Sequence, residues 1–282
     1  MLSLQETLEK FSLKPQKHLG QNFLLDLNLT DKIVRAAGKL EGRSVIEIGP
    51  GPGGLTRSLL RGGAENVIAI ELDPRCREAL EDLRMVSPQL KILVADALKV
   101  DISLLGAAPR KIVANLPYNI ATVLLFQWLD KIQSFESLTL MFQKEVAQRL
   151  LATPKSSAYG RLSVMTQWLC KVERIFDIPP QAFTPPPKVI STVVHLTPHS
   201  QPLAPADPKM LSLVVKTAFG QRRKMLRSSL KSLGHDKTEA ILSQANINPM
   251  RRAEELSVVE FCQLAGVFSN QTLESNINKI IK

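Results

Sequence analysis

Between Ser44 and about Leu150, short apolar runs alternate with longer amphipathic stretches, and this alternation restricts the fold more than any other feature of the chain. The runs are Val45-Ile46-Glu47-Ile48, Val67-Ile68-Ala69-Ile70, Lys91-Ile92-Leu93-Val94, Lys111-Ile112-Val113-Ala114 and Leu138-Thr139-Leu140-Met141. Runs this short and β-branched read as strands buried on both faces, the habit of parallel sheets. Between them lie helical stretches at Gly54–Leu60, Pro74–Leu83, Thr122–Lys131 and Lys144–Leu151. Pro74 suits a first helical turn, and Gly62 and Gly63 suit a C-terminal stop. A further amphipathic stretch, Leu29–Ala37, precedes the first run and is closed by Gly38. Strands alternating with helices predict a doubly wound, Rossmann-like α/β sheet.

Downstream the pattern changes. Five prolines fall in the ten residues Pro179–Lys188, which rules out a helix or a central strand and predicts a rigid extended loop, followed by a strand over Val189–Leu196. A second break, Thr197–Pro208, carries four more prolines. Beyond it Pro208–Ala218, Arg222–Leu233, Lys237–Gln244 and Val258–Val267 read as helices. The expected organisation is an α/β domain over residues 1–204 and a small all-helical domain over 205–282. No run approaches the ~18 consecutive apolar residues of a membrane span. Glu6 and Glu9 sit where a leader would be apolar or free of acids. Three isolated cysteines and four scattered histidines suggest neither a disulfide framework nor a zinc site. A cytoplasmic, metal-free protein is expected.

The first strand runs into Gly49-Pro50-Gly51-Pro52-Gly53-Gly54, which satisfies GxGxxG. The motif fits a dinucleotide-dependent dehydrogenase, in which loop N–H groups hold a pyrophosphate. It fits equally an S-adenosylmethionine-dependent methyltransferase, in which Gly49 and Gly51 let the backbone approach the cofactor. Pro50 and Pro52 lack the N–H groups that a phosphate cradle needs, and Glu47 suits a cationic methionine end, so both tilt the choice toward methyl transfer. Glu71 ends the next strand, 22 residues beyond Gly49, at the spacing for a ribose-binding acid. Asp73 is the weaker candidate, because it also stands where a helix cap is needed ahead of Pro74. Asp96 ends the third strand and can accept from the exocyclic amine of a bound adenine.

The fourth strand ends in Asn115-Leu116-Pro117-Tyr118, which selects the reaction. The exocyclic amine of adenine is a poor nucleophile, since its lone pair is delocalised into the ring. The side-chain carbonyl of Asn115 and the main-chain carbonyl of Leu116 can accept both N–H bonds and favour a pyramidal nitrogen. Pro117 fixes the turn, and Tyr118 offers a face on which an extruded base can stack. Transfer is then an in-line displacement governed by positioning.

With these residues assembled, the chain resembles the bacterial ribosomal RNA adenine dimethyltransferases of the KsgA/RsmA family. The resemblance covers nearly the whole length. It runs through Lys17-His18-Leu19-Gly20-Gln21-Asn22-Phe23-Leu24, Glu47-Ile48-Gly49-Pro50-Gly51 and Asn115-Leu116-Pro117-Tyr118. It continues through Tyr159-Gly160-Arg161-Leu162-Ser163, Phe183-Thr184-Pro185-Pro186-Pro187-Lys188-Val189 with Ser191, and Phe219-Gly220-Gln221-Arg222-Arg223-Lys224. No motif position departs from the family's pattern; Glu254, Glu255 and the polar stretch Ser269–Lys282 match no motif. The resemblance implies two methyl groups on N6 of each of two adjacent adenosines near the 3′ end of small-subunit (16S) ribosomal RNA, with the immature 30S subunit as partner. It also implies that Asn22 and Leu24 contact the cofactor alongside Gly49, Glu71, Asp96 and Asn115. Phe183 is implied to face the target base opposite Tyr118.

The basic balance is concentrated near the C-terminus. Residues 1–198 hold 24 Lys and Arg against 19 acids, while the much shorter 199–282 hold 12 against 7. From Lys209 to Lys231 there are seven cations and no acid. On the expected helix, Arg223, Arg227 and Lys231 fall at i, i+4 and i+8 and form one stripe, with Arg222 and Lys224 beside it. Such a stripe fits phosphate contact, and Lys14, Lys17 and His18 can join that surface. Two rivals share these features: a large-subunit adenine methyltransferase of the macrolide-resistance type, and an RNA-binding assembly factor without turnover. Nothing apolar and exposed suggests more than a monomer.

Overall fold

The computed structural model describes residues 2–234 and 238–280. In chain order the elements are α1 (Leu4–Lys10), β1 (Phe23–Leu24), α2 (Leu27–Ala36), β2 (Ser44–Ile48), α3 (Gly54–Arg61), β3 (Asn66–Glu71), α4 (Pro74–Met85) and β4 (Leu90–Val94). They continue with β5 (Arg110–Asn115), α5 (Ala121–Leu129), β6 (Ser137–Gln143), α6 (Lys144–Leu151), α7 (Arg161–Leu169), β7 (Cys170–Ile178), β8 (Phe183–Thr184) and β9 (Ser191–Pro198). The last are α8 (Pro208–Gly220), α9 (Leu226–Ser229), α10 (Lys231–Gly234), α11 (Thr238–Gln244) and α12 (Val258–Ile280).

All five predicted strands are present, in a seven-stranded sheet of order β4-β3-β2-β5-β6-β9-β7, although β4 stands at the edge and, against expectation, is only partly buried. β2 pairs in parallel with both β3 and β5, which carry the chain to opposite sides. That reversal of strand order makes the carboxyl end of β2 the topological switch point, where ligands of open sheets bind. β9 joins antiparallel to β6, and β1 and β8 form a separate two-stranded ladder with Leu24 opposite Phe183. The burial of β2 is complete along its length, which explains why its sequence shows an apolar run rather than alternation. Val45, Val67, Val113 and Met141 pack with Ile33, Leu40 and Leu59 into the core beneath the sheet.

α1 lies outside every predicted helix, although its signal stands in the sequence. Ser3 and Glu6 form a capping box, Ser3 Oγ accepting from Glu6 N–H and Glu6 accepting from Ser3 N–H. Arg57 of α3, only 7% exposed, holds this helix by donating to the Leu2 carbonyl and to Thr7 Oγ1.

The expected single cut at residue 204 is not how the chain divides. One compact unit comprises Met1–Ala147 and Val172–Pro198, and the other Gln148–Lys171 and His199–Lys282. The helical unit thus takes α7 as well, which packs against α8 and α12. Trp168 Nε1 donates to the Ala204 carbonyl, Leu203 N–H donates to the Trp168 carbonyl, and Tyr159 stacks edge-on against Phe219 in the same unit.

The helix expected over Arg222–Leu233 is also corrected. Arg222–Lys224 form a turn, and two four-residue helices, α9 and α10, follow. Met225 bridges Arg252, while Leu226 and Arg227 donate their N–H groups to the carbonyls of Arg251 and Pro249. These bonds take the donors that would have continued a helix from Arg222. Arg223, Arg227 and Lys231 therefore do not share one helical stripe. Of the helix expected over Lys237–Gln244, Lys237 lies outside the described residues, as do residues 281–282 of the polar C-terminal stretch; residues 269–280 continue α12.

Candidate functional site

The ends of β2, β3, β4 and β5 open on a cavity of about 230 Å³. Its wall includes Asn22, Leu24, Glu47, Gly49, Gly51, Glu71, Asp96, Asn115, Leu116 and Tyr118. Every predicted cofactor-binding residue and three of the four predicted catalytic ones meet there. The sheet achieves this because successive parallel strands deliver their ends to the same edge.

The turn after β2 has a further reason for its glycines. Gly49, Gly51 and Gly53 all have positive φ, at 66°, 55° and 86°, so these positions demand glycine on conformation alone. A Cβ on Gly51 would stand 2.9 Å from the Phe23 ring, and one on Gly54 would stand 2.4 Å from the Leu24 carbonyl oxygen. The close approach at these two glycines is therefore made by the chain's own N-terminal segment. That segment lines the cavity from His18 to Leu24.

Three carboxylates line the cavity, and a fourth stands outside it. Glu71 accepts from Gly51 N–H and from Asp73 N–H, both at 2.9 Å, so it pins the glycine turn to the end of β3 while facing the cavity. Burial raises its pKa, against the lowering effect of those two amides. Glu47 is 1% exposed, and its Oε2 has no hydrogen-bond partner among the described residues. Burial pushes its pKa up to about 8, with the neighbouring Glu71 charge adding to the rise and Thr56 opposing it. A buried carboxylate oxygen left open on a cavity wall is costly unless a cation or donor arrives. Asp96 is half-buried and accepts from Leu98 N–H at 3.0 Å. Asp73 does not line the cavity: it caps α4 and binds the Arg75 guanidinium and the Gln21 amide. The Arg75 bonds hold its pKa down to about 2.

On the opposite wall, Asn115 Nδ2 donates to the main-chain carbonyl of Asn22 at 3.1 Å. The amide nitrogen is thereby held against the N-terminal segment, and Oδ1 is left as the free acceptor. Asn22 in turn donates from its own Nδ2 to the Gly20 carbonyl at 3.2 Å. Gly20 has φ of 66°, and a Cβ there would come 2.9 Å from Asn119 Oδ1, so the segment is moulded to the loop after β5. Sequence reasoning on the residues themselves did not find this partnership, because a main-chain carbonyl carries no residue signature. Asn119 and the half-exposed Leu72, also on the wall, were missed as well.

Tyr118 lines the cavity and its hydroxyl shares a 2.5 Å hydrogen bond with Ser191. Burial raises the phenol's pKa, so it stays protonated. Phe183 is not where it was expected. It is 2% exposed, sits opposite Leu24 in the β1–β8 ladder and packs into the core with Leu24, Leu55 and Ile178. It is absent from the cavity wall that Tyr118 lines. The ladder explains the difference: pairing with β1 turns the Phe183 side chain inward.

The predicted RNA-contacting residues lie in the helical unit. Arg223, Lys224, Arg227 and Lys231 are exposed. Arg222 is half-buried instead, donating to Glu254 at 2.8 Å and to the Ser156 carbonyl at 3.2 Å. Arg252 stands exposed beside Arg223 and Lys224, brought there by the Met225 bridge. Among the described residues no cluster of His, Cys, Asp and Glu could hold a metal ion, and no helix is long and apolar enough to cross a membrane.

Known proteins share both the sequence and the fold. The family described as ribosomal RNA adenine dimethylase matches residues 12–270. Proteins named ribosomal RNA small subunit methyltransferase A are similar along their lengths. That of Rhodospirillum rubrum is 54% identical over 263 residues, covering 93% of this chain and 91% of its own. That of Paramagnetospirillum magneticum is 55% identical over 274 residues, 97% of each. Among solved structures, a dimethyladenosine transferase from Plasmodium falciparum superposes with a TM-score of 0.77 at 27% identity, over 88% of this chain and 97% of that one. The 23S rRNA methyltransferase ErmE gives a TM-score of 0.66 at 26% identity, over 88% of this chain and all of that one.

Proposed function

The chain belongs to the ribosomal RNA adenine dimethylase family, and from that premise we propose how its cavity and its cationic surface divide the work. The enzyme dimethylates adenine in small-subunit ribosomal RNA, as the names of its relatives and the family description together indicate. Its targets are N6 of two adjacent adenosines in a 3′-terminal loop, and the reading of the reaction as transfer to an adenine amine rests most on one observation. Asn115 is held by the Asn22 carbonyl so that Oδ1 remains as an acceptor on the cavity wall.

S-adenosylmethionine, when bound, supplies an electrophilic methyl group on a sulfonium. The residues present fit it: the unpartnered Glu47 Oε2 suits its cationic methionine end, Glu71 its ribose hydroxyls, and Asp96 its adenine amine. Asn22, Leu24, Gly49 and Gly51 complete that wall. On the reacting side, Asn115 Oδ1 and the Leu116 carbonyl accept the two N–H bonds of the target amine. Accepting both turns the nitrogen lone pair out of conjugation and toward the methyl donor. Tyr118 supports the extruded base with its ring face. No side chain is needed as a strong base, because the alkylated amine sheds its proton to solvent. Phe183 takes no part in holding the base and serves as the core anchor of β8.

Arg223, Lys224, Arg227 and Lys231 contact phosphates, with Arg252 beside them, and this surface makes the helical unit the RNA-docking part of the chain. Arg222 is spent on Glu254. The particle engaged is the immature 30S subunit in the cytoplasm, and the enzyme acts as a monomer.

The test supplies labelled S-adenosylmethionine with naked small-subunit RNA, with 30S particles lacking the modification, and with 50S particles. Digestion to nucleosides is expected to yield N6,N6-dimethyladenosine from small-subunit material alone. Label in the 50S particle would transfer the case to the large-subunit rival, and label nowhere would favour a binding factor.

A further inference from the structure

Tyr118 follows Asn115 and Leu116 on the cavity wall, and something must hold the plane of its ring. Rotation about the Cβ–ring bond is soft, so the backbone alone does not fix it. The ring is tethered at its far end, where Oη meets Ser191 Oγ at 2.5 Å. Ser191 is fully buried and is the first residue of β9, paired with Gln143 of β6. Its neighbours are also fastened. Lys144 N–H donates to the Ile190 carbonyl at 2.9 Å, and Thr192 Oγ1 donates to Asp177 Oδ1 at 2.8 Å. Ser191 therefore cannot drift relative to the sheet, and it passes that rigidity to the phenol.

We propose that Ser191 is a positioning residue: its hydroxyl, fixed by the β6–β9 pairing, holds the Tyr118 ring in the plane on which the target adenine stacks. The proposal rests on the reading of Tyr118 as the stacking face. It also assigns the steadying of the base slot to the foot of the proline-rich loop, the residue after Ile190, and not to Phe183 at its head. The phenol's own chemistry leaves no competing use for the bond, since a buried, protonated hydroxyl is no base for the amine.

The experiment is a double-mutant cycle on the full-length enzyme with 30S particles lacking the modification. Wild type, Ser191→Ala, Tyr118→Phe and the double variant are read for single-turnover methyl transfer and for equilibrium binding of S-adenosylmethionine. Ser191→Ala is expected to slow transfer about tenfold, the worth of one hydrogen bond in the slot, at unchanged cofactor affinity. Tyr118→Phe removes the same bond and is expected to match it, and the double variant to be no slower than the slower single one. Ser191→Thr, which keeps the hydroxyl, is expected to recover transfer.

Wild-type transfer by Ser191→Ala, or losses that multiply in the double variant, would overturn the proposal. A loss in Ser191→Ala accompanied by equally weakened cofactor binding would overturn it too, since that marks a damaged cavity. If Ser191→Ala does not fold, Tyr118→Phe decides, and transfer at the wild-type rate rejects the tether. Wild-type enzyme that makes no dimethyladenosine overturns the reading of the protein together with this one. An active wild type with unaffected variants overturns the tether alone.

Discussion

The cavity of the α/β unit buries its charge, whereas the 222–231 segment of the helical unit leaves most of its charge in water. Glu47 and Glu71 are 1% and 5% exposed, and Glu71 is tied to two main-chain amides. Asn115 is tied to a carbonyl and Tyr118 to a buried serine. Arg223, Lys224, Arg227 and Lys231 stand on a turn and two single-turn helices. A site that must orient one nitrogen lone pair needs fixed dipoles in a low-dielectric setting. A surface that meets a phosphate backbone gains from mobile exposed cations and needs no exact geometry. Substitutions in the first region should therefore act on chemistry and cofactor binding, and those in the second on salt-dependent association.

The largest effect belongs to Asn115→Ala. Losing its Oδ1 is expected to lower single-turnover transfer on the order of 10³-fold while RNA affinity stays within twofold of wild type, the magnitude being that of a lost fixed dipole at a reacting centre. A matching loss of RNA affinity would erase the contrast between the regions. Next comes Glu47→Gln, expected to weaken S-adenosylmethionine binding at pH 8 by roughly tenfold or more, since it removes a buried charge from a cationic ligand. The pH dependence has a definite sign. With its pKa raised by burial to about 8, Glu47 carries a proton at neutral pH and must release it to meet a cation. Wild-type cofactor affinity should thus fall as pH drops below 8, and Glu47→Gln should flatten the profile. The ligand-free protein should show the converse, since a carboxylate with a raised folded-state pKa favours folding at low pH. The contribution of Glu47 to stability declines as pH climbs from about 4.5 to 8, and Glu47→Gln removes that contribution while Glu71, also raised by burial, keeps its own. Calorimetry with and without cofactor at several pH values reads both.

The two regions also differ in how far the amino-acid sequence discloses them. Strand ends in a parallel sheet are set by short apolar runs, and each run ends at the same edge, so Glu47, Glu71, Asp96 and Asn115 were legible from the pattern. What the pattern missed was supplied by main-chain atoms or by distant packing: the Asn22 carbonyl on Asn115, the Phe23 ring against Gly51, and Phe183 turned into the core by Leu24. Family resemblance pointed to Asn22 and Leu24 but implied a different place for Phe183. In the 222–231 segment the charge count survived and the expected geometry did not. The helix breaks because residues 249–252 accept its N–H groups, a contact between stretches distant in sequence. The signal for α1, Ser3 followed by Glu6, was present and readable.

Charge reversal at Arg223 and Arg227 sharpens the contrast from the other side. The pair is expected to weaken RNA binding on the order of tenfold at moderate salt and to reduce the slope of log affinity against log salt by roughly two. Cofactor affinity should not change. Titrations of small-subunit RNA at several salt concentrations check this, and a salt-independent loss would indicate a damaged fold in place of lost phosphate contacts.

The smallest effect separates Arg222 from its neighbours in sequence. Its guanidinium donates to Glu254 and to the Ser156 carbonyl, and Glu254 also gives its main-chain carbonyl to Lys155 N–H. The residue therefore fastens the 153–156 stretch, the turn before α9 and the 253–255 turn of the helical unit. Both partners are about a third exposed, so solvent screens the pair and its worth is about 0.5 kcal/mol. Arg222→Ala should then lower the melting temperature by only a degree or two and leave the salt slope of RNA binding unaltered. Glu254→Ala should produce a similar thermal shift, and the double variant little more than either alone, because both remove one interaction. If Arg222→Ala instead reduces the salt slope by about one, Arg222 leaves Glu254 to bind phosphate, and the distinction between Arg222 and its more exposed neighbours has to be redrawn.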